Sequence, residues 1–167
     1  MPARYRRSAA PVRRQGRRRQ LVWAEVANSV TLGAGAGSNV DVLALGLENA
    51  GQSHLGITVM RTLVTLQVQN WAGVTDAIYW GLVIGRPADV GTSPLLGSMP
   101  GLDWYYREQL LPISNGASVN VAQRYDFDVR SKRKMSEVDQ RDLLCFDNIS
   151  AASKNVQFFV RTLVALP

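Results

Sequence analysis

Apolar and polar residues alternate with a period of two along much of the chain, which is typical of β-strands with one buried face. The clearest example is 119–130, where apolar side chains alternate with polar and charged ones. Within 57–69, Val64, Leu66 and Val68 likewise share one face. The pattern predicts strands at residues 21–32, 40–47, 57–69, 78–85, 119–130, 141–147 and 155–166. The last is apolar on both faces, so we expect it in the middle of a sheet or against another subunit.

Glycine and proline separate these segments. The glycine-rich stretch 33–39 predicts a flexible turn, and 48–55 and 88–101 predict loops. Residues 102–111, with proline shortly before and after them, predict a short helix. Seven or eight strands with long loops and almost no helix indicate an all-β protein. Its architecture is an antiparallel β-sandwich or barrel of Greek-key or jelly-roll type.

Charge divides the chain into two parts. The whole chain holds 19 lysines and arginines against 13 acidic residues, a net charge of +6. Residues 21–167 hold 11 basic and 13 acidic residues, a net of −2, so the basic character belongs to residues 1–20. We therefore predict a disordered arm at 1–20, too charged and too poor in apolar groups to fold. Residues 21–167 form a single folded domain.

The arm contains arginine as its only charged residue type. These arginines are Arg4, Arg6, Arg7, Arg13, Arg14, Arg17, Arg18 and Arg19. Guanidinium groups bind phosphates through paired hydrogen bonds, so the arm predicts binding to single-stranded DNA or RNA without sequence recognition. The same run could serve as a nuclear localisation signal. A mitochondrial transit peptide is also arginine-rich, but Pro2 and Pro11 interrupt any amphipathic helix here.

A second basic cluster follows the alternating segment 119–130. It consists of Arg130, Lys132, Arg133 and Lys134. One interpretation places it on the same surface as the arm, where it extends a nucleic-acid-binding track. The other is a solvated turn whose charges are balanced by Glu137, Asp139 and Asp142. The sequence leaves both open.

Residues that commonly form active sites are few. The single cysteine, Cys145, excludes an intrachain disulfide and lies in an apolar run, so we expect it to be buried. The single histidine, His54, has no carboxylate or cysteine at metal-binding spacing and is expected in a solvated loop. The glycine-rich stretch 33–39 lacks the Lys-Ser/Thr of a phosphate-binding loop. These observations disfavour an enzyme and predict no cofactor.

Asp126 and Asp128 share one strand face at a spacing that could serve acid–base chemistry. Their neighbours Arg124 and Arg130 favour a salt-bridged polar face instead. A calcium ion held between subunits by acidic residues near the chain's end is a minor alternative. Its candidate ligands are Asp139, Asp142 and Asp147. We predict no metal site.

Four segments resemble the single jelly-roll capsid proteins of small icosahedral viruses. They are residues 40–45, 55–62, 128–134 and 160–164, and the nearest similarity is to circular single-stranded DNA viruses that encode a rolling-circle replication protein. The resemblance implies a jelly-roll domain at 21–167 that self-assembles into an icosahedral shell of sixty copies. It also implies a genome of single-stranded DNA, or RNA, packaged by the arm. The corresponding location is the virion, with the host nucleus as a site of assembly.

Aromatic residues are numerous enough to suggest subunit contacts, where such side chains are enriched. They include Trp23, Trp71, Trp80, Trp104, Tyr105 and Tyr106. The alternative is a ribosome- or nucleoid-associated protein with a basic tail, but the folded body of such a protein would also be expected to be basic. A lectin-like jelly roll predicts a secretory signal and no arginine arm, and no apolar stretch follows the basic start. No segment approaches the about 18 apolar residues of a membrane span, so we expect no membrane partner.

Overall fold

The computed structural model describes residues 19–43, 54–73, 75–90, 102–113 and 121–167. This part of the chain contains eight strands and one four-residue helix. The elements are β1 (Leu21–Leu32), β2 (Gly37–Asp41), β3 (Thr58–Gln69), β4 (Ile78–Gly85), α1 (Pro87–Val90), β5 (Asp103–Leu110), β6 (Gln123–Lys134), β7 (Arg141–Asn148) and β8 (Lys154–Ala165). No helix in these ranges is long and apolar enough to span a membrane.

The strands form two four-stranded antiparallel sheets. The first has the order β1-β8-β3-β6 and the second β2-β7-β4-β5. Every pair β1·β8, β2·β7, β3·β6 and β4·β5 is hydrogen-bonded, as in one long hairpin whose tip is β4–β5. Rolling such a hairpin into two sheets gives a jelly roll. The predicted fold class, an antiparallel jelly-roll sandwich of eight strands, is confirmed.

The hydrophobic core lies between the two sheets. Val64 and Leu66 of β3 are at most 1% exposed, as are Trp80 of β4 and Phe146 of β7. The Trp80 ring lies 4.5 Å from the ring of Phe127 in β6, measured between centroids. A ring of the second sheet therefore contacts a ring of the first. Because β3 and β6 bury alternate residues, their other face is left toward solvent.

The second sheet is also covered on its outer side. Val83, Leu143 and Cys145 point away from the main core, yet each is fully buried. They pack against Val90 of α1 and against Leu102 and Trp104. This explains why the central strands β4 and β7 read as continuous apolar runs. It also confirms that Cys145 is buried.

Strand boundaries agree closely with the sequence pattern for β1 and β4, and within one residue for β3, β7 and β8. β6 lies four residues later than predicted, and residues 119–120 are outside the described ranges. Strand β2 includes Gly37, Ser38 and Asn39, which we had assigned to a flexible turn. Of the predicted second strand, residues 44–47 lie outside the described ranges, as do most residues of the predicted loops 48–55 and 88–101.

The predicted helix at 102–111 is wrong, because these residues form β5. The strand pairs with β4 from Ile78↔Leu110 to Ile84↔Asp103. Tyr105 and Tyr106 supply aromatic area that a sheet surface accommodates well. Gly81 of β4 leaves room for β5, since a Cβ there would lie 2.7 Å from the carbonyl oxygen of Tyr106. Flanking prolines end a strand as effectively as a helix, so they did not distinguish the two.

Most of the aromatic residues that suggested subunit contacts belong to the core. Trp71 is 1% exposed, Trp80 is fully buried, and the Tyr105 hydroxyl lies inside the sandwich. Trp23 on β1 is the exception, with 37% of its surface exposed. The abundance of aromatic residues is therefore explained by packing between the sheets.

A polar cluster is buried at one end of the sandwich. His54, expected in a solvated loop, is only 4% exposed, so that expectation is wrong. Burial lowers the pKa of His54, nearby Asp41 raises it, and Arg141 lowers it. Asp142 is fully buried, and its Oδ1 accepts a 2.6 Å hydrogen bond from the Tyr105 hydroxyl. Burial raises the pKa of Asp142 to about 7.

Substitution of Asp142 by asparagine tests the cost of that burial. Because the folded-state pKa is raised from 3.8 to about 7, wild-type stability should fall as pH rises between these values. Asp142→Asn should remove this dependence and raise the free energy of unfolding at pH 8 by on the order of 2–4 kcal/mol. Denaturant unfolding at pH 5 and pH 8 measures it. The exposed neighbour Asp139→Asn is the control, and an equal loss at both pH values in Asp142→Asn would contradict the account.

Candidate nucleic-acid interface

The predicted arm lies almost entirely outside the described residues, which begin at Arg19. Arg19 is exposed and lies two residues before the start of β1. The carbonyl oxygen of Gln20 accepts a 2.9 Å hydrogen bond from the backbone N–H of Leu166, just after β8. The point at which the arm joins the body is therefore fixed to the first sheet.

The same end of the first sheet carries the basic cluster. Strand register places Leu21 of β1 opposite Ala165 of β8, Ala165 opposite Thr58 of β3, and Thr58 opposite Lys134 of β6. Neighbouring strands lie about 4.8 Å apart, so Leu21 and Lys134 are separated by roughly 14 Å across the sheet. Lys134 therefore lies at the same end of the sheet as Leu21, the first residue after the arm.

The outer face of the β1-β8-β3-β6 sheet, called the open face below, carries several ion pairs. Arg61 of β3 binds both carboxylate oxygens of Asp128 at 2.6–2.7 Å. Arg124 and Asp126 of β6 form a second pair at 2.9 Å. Hydrogen bonds from these arginines lower the pKa of Asp126 and of Asp128. The salt-bridged interpretation of the two carboxylates is thus what the structure shows, although sequence reasoning missed Arg61.

Three members of the basic cluster carry charge that the described residues do not neutralise. Within the described ranges, Arg130, Lys132 and Lys134 form no ion pair, and all three are exposed. Arg133 differs, because its guanidinium lies 3.4 Å from Asp103 of β5. The cluster belongs to strand β6 rather than to a solvated turn.

Two of the three acids that could have balanced the cluster are engaged elsewhere. Glu137 binds Arg86 at 2.7 Å, beyond the end of β4. Asp142 is buried against Tyr105, which also removes it as an exposed calcium ligand between subunits. Among the described residues, no group of three or more histidine, cysteine or acidic side chains could hold a metal ion. The positive charge of the cluster therefore faces solvent.

A recess of about 390 Å³ opens at the cluster. Its lining consists of Tyr105, Arg130, Ser131, Lys132 and Arg133. The Ser131 hydroxyl is turned to the carbonyl oxygen of Val59 at 3.3 Å, which helps fix β6 against β3 here. Volumes of 300–1,000 Å³ are typical of small-ligand sites. A concave site lined by three cations suits a phosphate group of a larger polyanion.

No protein-family model and no curated protein sequence matches the chain. Among solved structures, it is similar to the coat protein of Tobacco streak virus, with 13% identity over 88% of this chain and 87% of that chain and a TM-score of 0.36. It is similar to the capsid of cyanophage Pam1, with 17% identity over 100% of both chains and a TM-score of 0.41. Eiger TNF from S. frugiperda is also similar, with 13% identity over 89% of this chain and 94% of that chain and a TM-score of 0.40.

Two single substitutions test whether the open face binds polyanions. Lys132→Gln removes an unneutralised charge from the first sheet, and Arg107→Gln removes an exposed charge from β5 in the second sheet. We expect Lys132→Gln to weaken binding of a single-stranded oligonucleotide. The slope of log K against log salt should fall in magnitude by about 0.7, one phosphate contact.

Fluorescence anisotropy over a salt series measures both variants against the wild type. Arg107→Gln is the matched control and should leave the slope unchanged, because its side chain stacks on Trp104 away from the open face. Equal effects of the two substitutions would show that binding follows net charge and not the open face.

Proposed function

We propose that this protein is a viral capsid protein whose copies assemble into a closed icosahedral shell around a single-stranded genome. The observation that carries the proposal is the separation of charge between arm and body. Eight arginines precede a folded domain of net charge −2. A body of that charge is suited to packing against copies of itself, and an arm of that charge is suited to neutralising phosphates.

The geometry of the first sheet supports the genome-binding part of the proposal. The arm joins the body at the first residue of β1, and the unneutralised charges of Arg130, Lys132 and Lys134 lie at the same end of the sheet. An arm leaving this end and a cluster beside it can follow one phosphate backbone. The open face would then line the inside of the shell.

The segments that resemble capsid proteins support the same assignment. Residues 58–62 of β3 pair with 162–165 of β8 and with 129–134 of β6, so three of the four segments meet at one end of the first sheet. Their similarity in sequence therefore corresponds to one structural unit. That unit is the place where the arm joins the body.

A charge count gives the scale of packaging. In a shell of roughly sixty copies the arms supply about 480 positive charges, enough to offset about as many phosphates. Such a number suits a small single-stranded genome or part of one. The site of action is the virion, and the arginine run would also direct the chain to a host nucleus for assembly.

Replacement of the eight arm arginines tests packaging. With all eight changed to glutamine, the purified protein should retain little nucleic acid, because the non-specific phosphate contacts are lost. With all eight changed to lysine, most of the retention should remain. The ratio of absorbance at 260 and 280 nm, measured after nuclease treatment, gives the nucleic acid content.

Negative-stain microscopy and size-exclusion chromatography of the same samples test assembly. The wild type should form uniform closed particles. A wild-type protein that stays a soluble monomer at every salt concentration would overturn the capsid proposal and favour a basic-tailed nucleic-acid-binding protein. Unchanged nucleic acid content in the glutamine variant would show that the arm is not the packaging element.

A further inference from the structure

An aromatic ring is exposed in the middle of the open face. Phe159 lies on β8, the strand between β1 and β3, and 41% of its surface is exposed. The residues paired with it across the sheet are Ala27 of β1 and Thr65 of β3. Both have short side chains, so neither covers the ring. Leaving the ring partly exposed forgoes part of the free energy that its burial would supply.

The ring lies in a recess of about 390 Å³ that is otherwise polar. Besides Phe158 and Phe159, the lining residues are Ala27, Asn28, Ser29, Thr65, Gln67 and Gln157. Gln157 and Gln67 are paired with each other, one side-chain row along the sheet from Phe159. The site thus combines one flat apolar surface with amide groups that both donate and accept hydrogen bonds.

This combination has the chemistry that recognises an unpaired nucleobase. Aromatic rings stack on bases exposed in single strands, and glutamine amides hydrogen-bond to base edges. In a duplex the flat faces of the bases are stacked on one another and are not available to the ring. A neutral sugar could also stack here, but the exposed cations Arg130, Lys132 and Lys134 on the same face favour a polyanion.

The charges that would hold the backbone lie within reach. The nearest arginines are already in ion pairs: Arg161, two residues along β8 from Phe159, binds Glu25 at 2.7 Å, and Arg124 of β6, opposite Gln67, binds Asp126. The unneutralised Arg130 is two strands away on the same face, at roughly 16 Å by strand spacing and rise. A strand bound at the basic cluster can therefore extend over the ring.

We propose that Phe159, with the amides of Gln67 and Gln157, forms a stacking site for an unpaired base, so that the open face binds single-stranded nucleic acid in preference to duplex. The inference rests on the proposed function, because it names the form of nucleic acid that the shell's inner surface accepts. The arm supplies affinity without distinguishing the two forms. The stacking site supplies the preference.

Phe159→Leu in the full chain tests the proposal. The substitution keeps an apolar side chain but removes the flat ring. Affinity for a single-stranded oligonucleotide should fall by about 5- to 150-fold, the range of one base–aromatic stack, while the salt slope stays unchanged. Affinity for the blunt duplex of the same sequence should not change. Phe159→Trp keeps the stack and should bind single strands at least as tightly as the wild type.

A second variant covers the case in which Phe159→Leu does not fold. Gln67→Leu combined with Gln157→Leu keeps the ring and removes the amides, so it should lower single-strand affinity and leave duplex affinity unchanged. In the wild type, irradiation of a bound oligonucleotide carrying 5-iodouracil should attach it to Phe159, as mass spectrometry of the β8 peptide would show.

The outcomes separate this inference from the proposed function. Equal single-strand and duplex effects in Phe159→Leu, or a crosslink elsewhere, would overturn the stacking site even where the arm variants behave as expected. Phe159-dependent binding of a neutral oligosaccharide probe, with no change for the oligonucleotide, would overturn the nucleic-acid assignment. Loss of packaging in the arm variants remains the separate test of the capsid proposal.

Discussion

The structure depends on the position of β8 between β1 and β3. This strand pairs over twelve residues with β1 and along nearly all of β3, which joins the end of the chain to its beginning and to its middle. Its first residue is held by a buried ion pair, in which the Lys154 ammonium lies 2.5 Å from Asp76. Both side chains are almost completely buried, so loss of either partner would leave an unpaired charge in the core. The jelly roll closes only when this strand is in register.

The same constraint brings the functional features together. Because β8 lies beside β1, the residue at which the arm ends and β1 begins is tied to the chain's last strand. On its other side β8 pairs with β3, and β3 in turn pairs with β6. The basic cluster on β6 therefore lies at the same end of the sheet as the start of β1. Phe159 then occupies the centre of the open face, whereas the central strands of the second sheet are covered by Val90, Leu102 and Trp104. The first sheet therefore keeps an exposed outer face, whereas the outer side of the second sheet is covered.

Several features could be predicted from the sequence because they are local. Period-two alternation predicted β3, apolar runs predicted β4 and the central β8, and the arginine arm is a matter of composition. Other features depend on partners distant in the chain. Arg61 and Asp128 are 67 residues apart, and no local pattern pairs them. His54 is buried in the fold near Asp41 of β2 and Arg141 of β7, which are distant in the chain, and β5 is a strand because Gly81 of β4 leaves room for it. The exposure of Phe159 could not be predicted from the sequence either, because it depends on the small size of its neighbours across the sheet.

The central claim is that the open face meets the genome inside a closed shell. Cryo-electron microscopy of particles assembled from the full-length protein tests it most directly. We expect a closed shell in which the β1-β8-β3-β6 sheet faces inward, with nucleic-acid density over β6 and over the centre of β8. Particles in which this face points outward, or in which a neighbouring subunit covers it, would contradict the account.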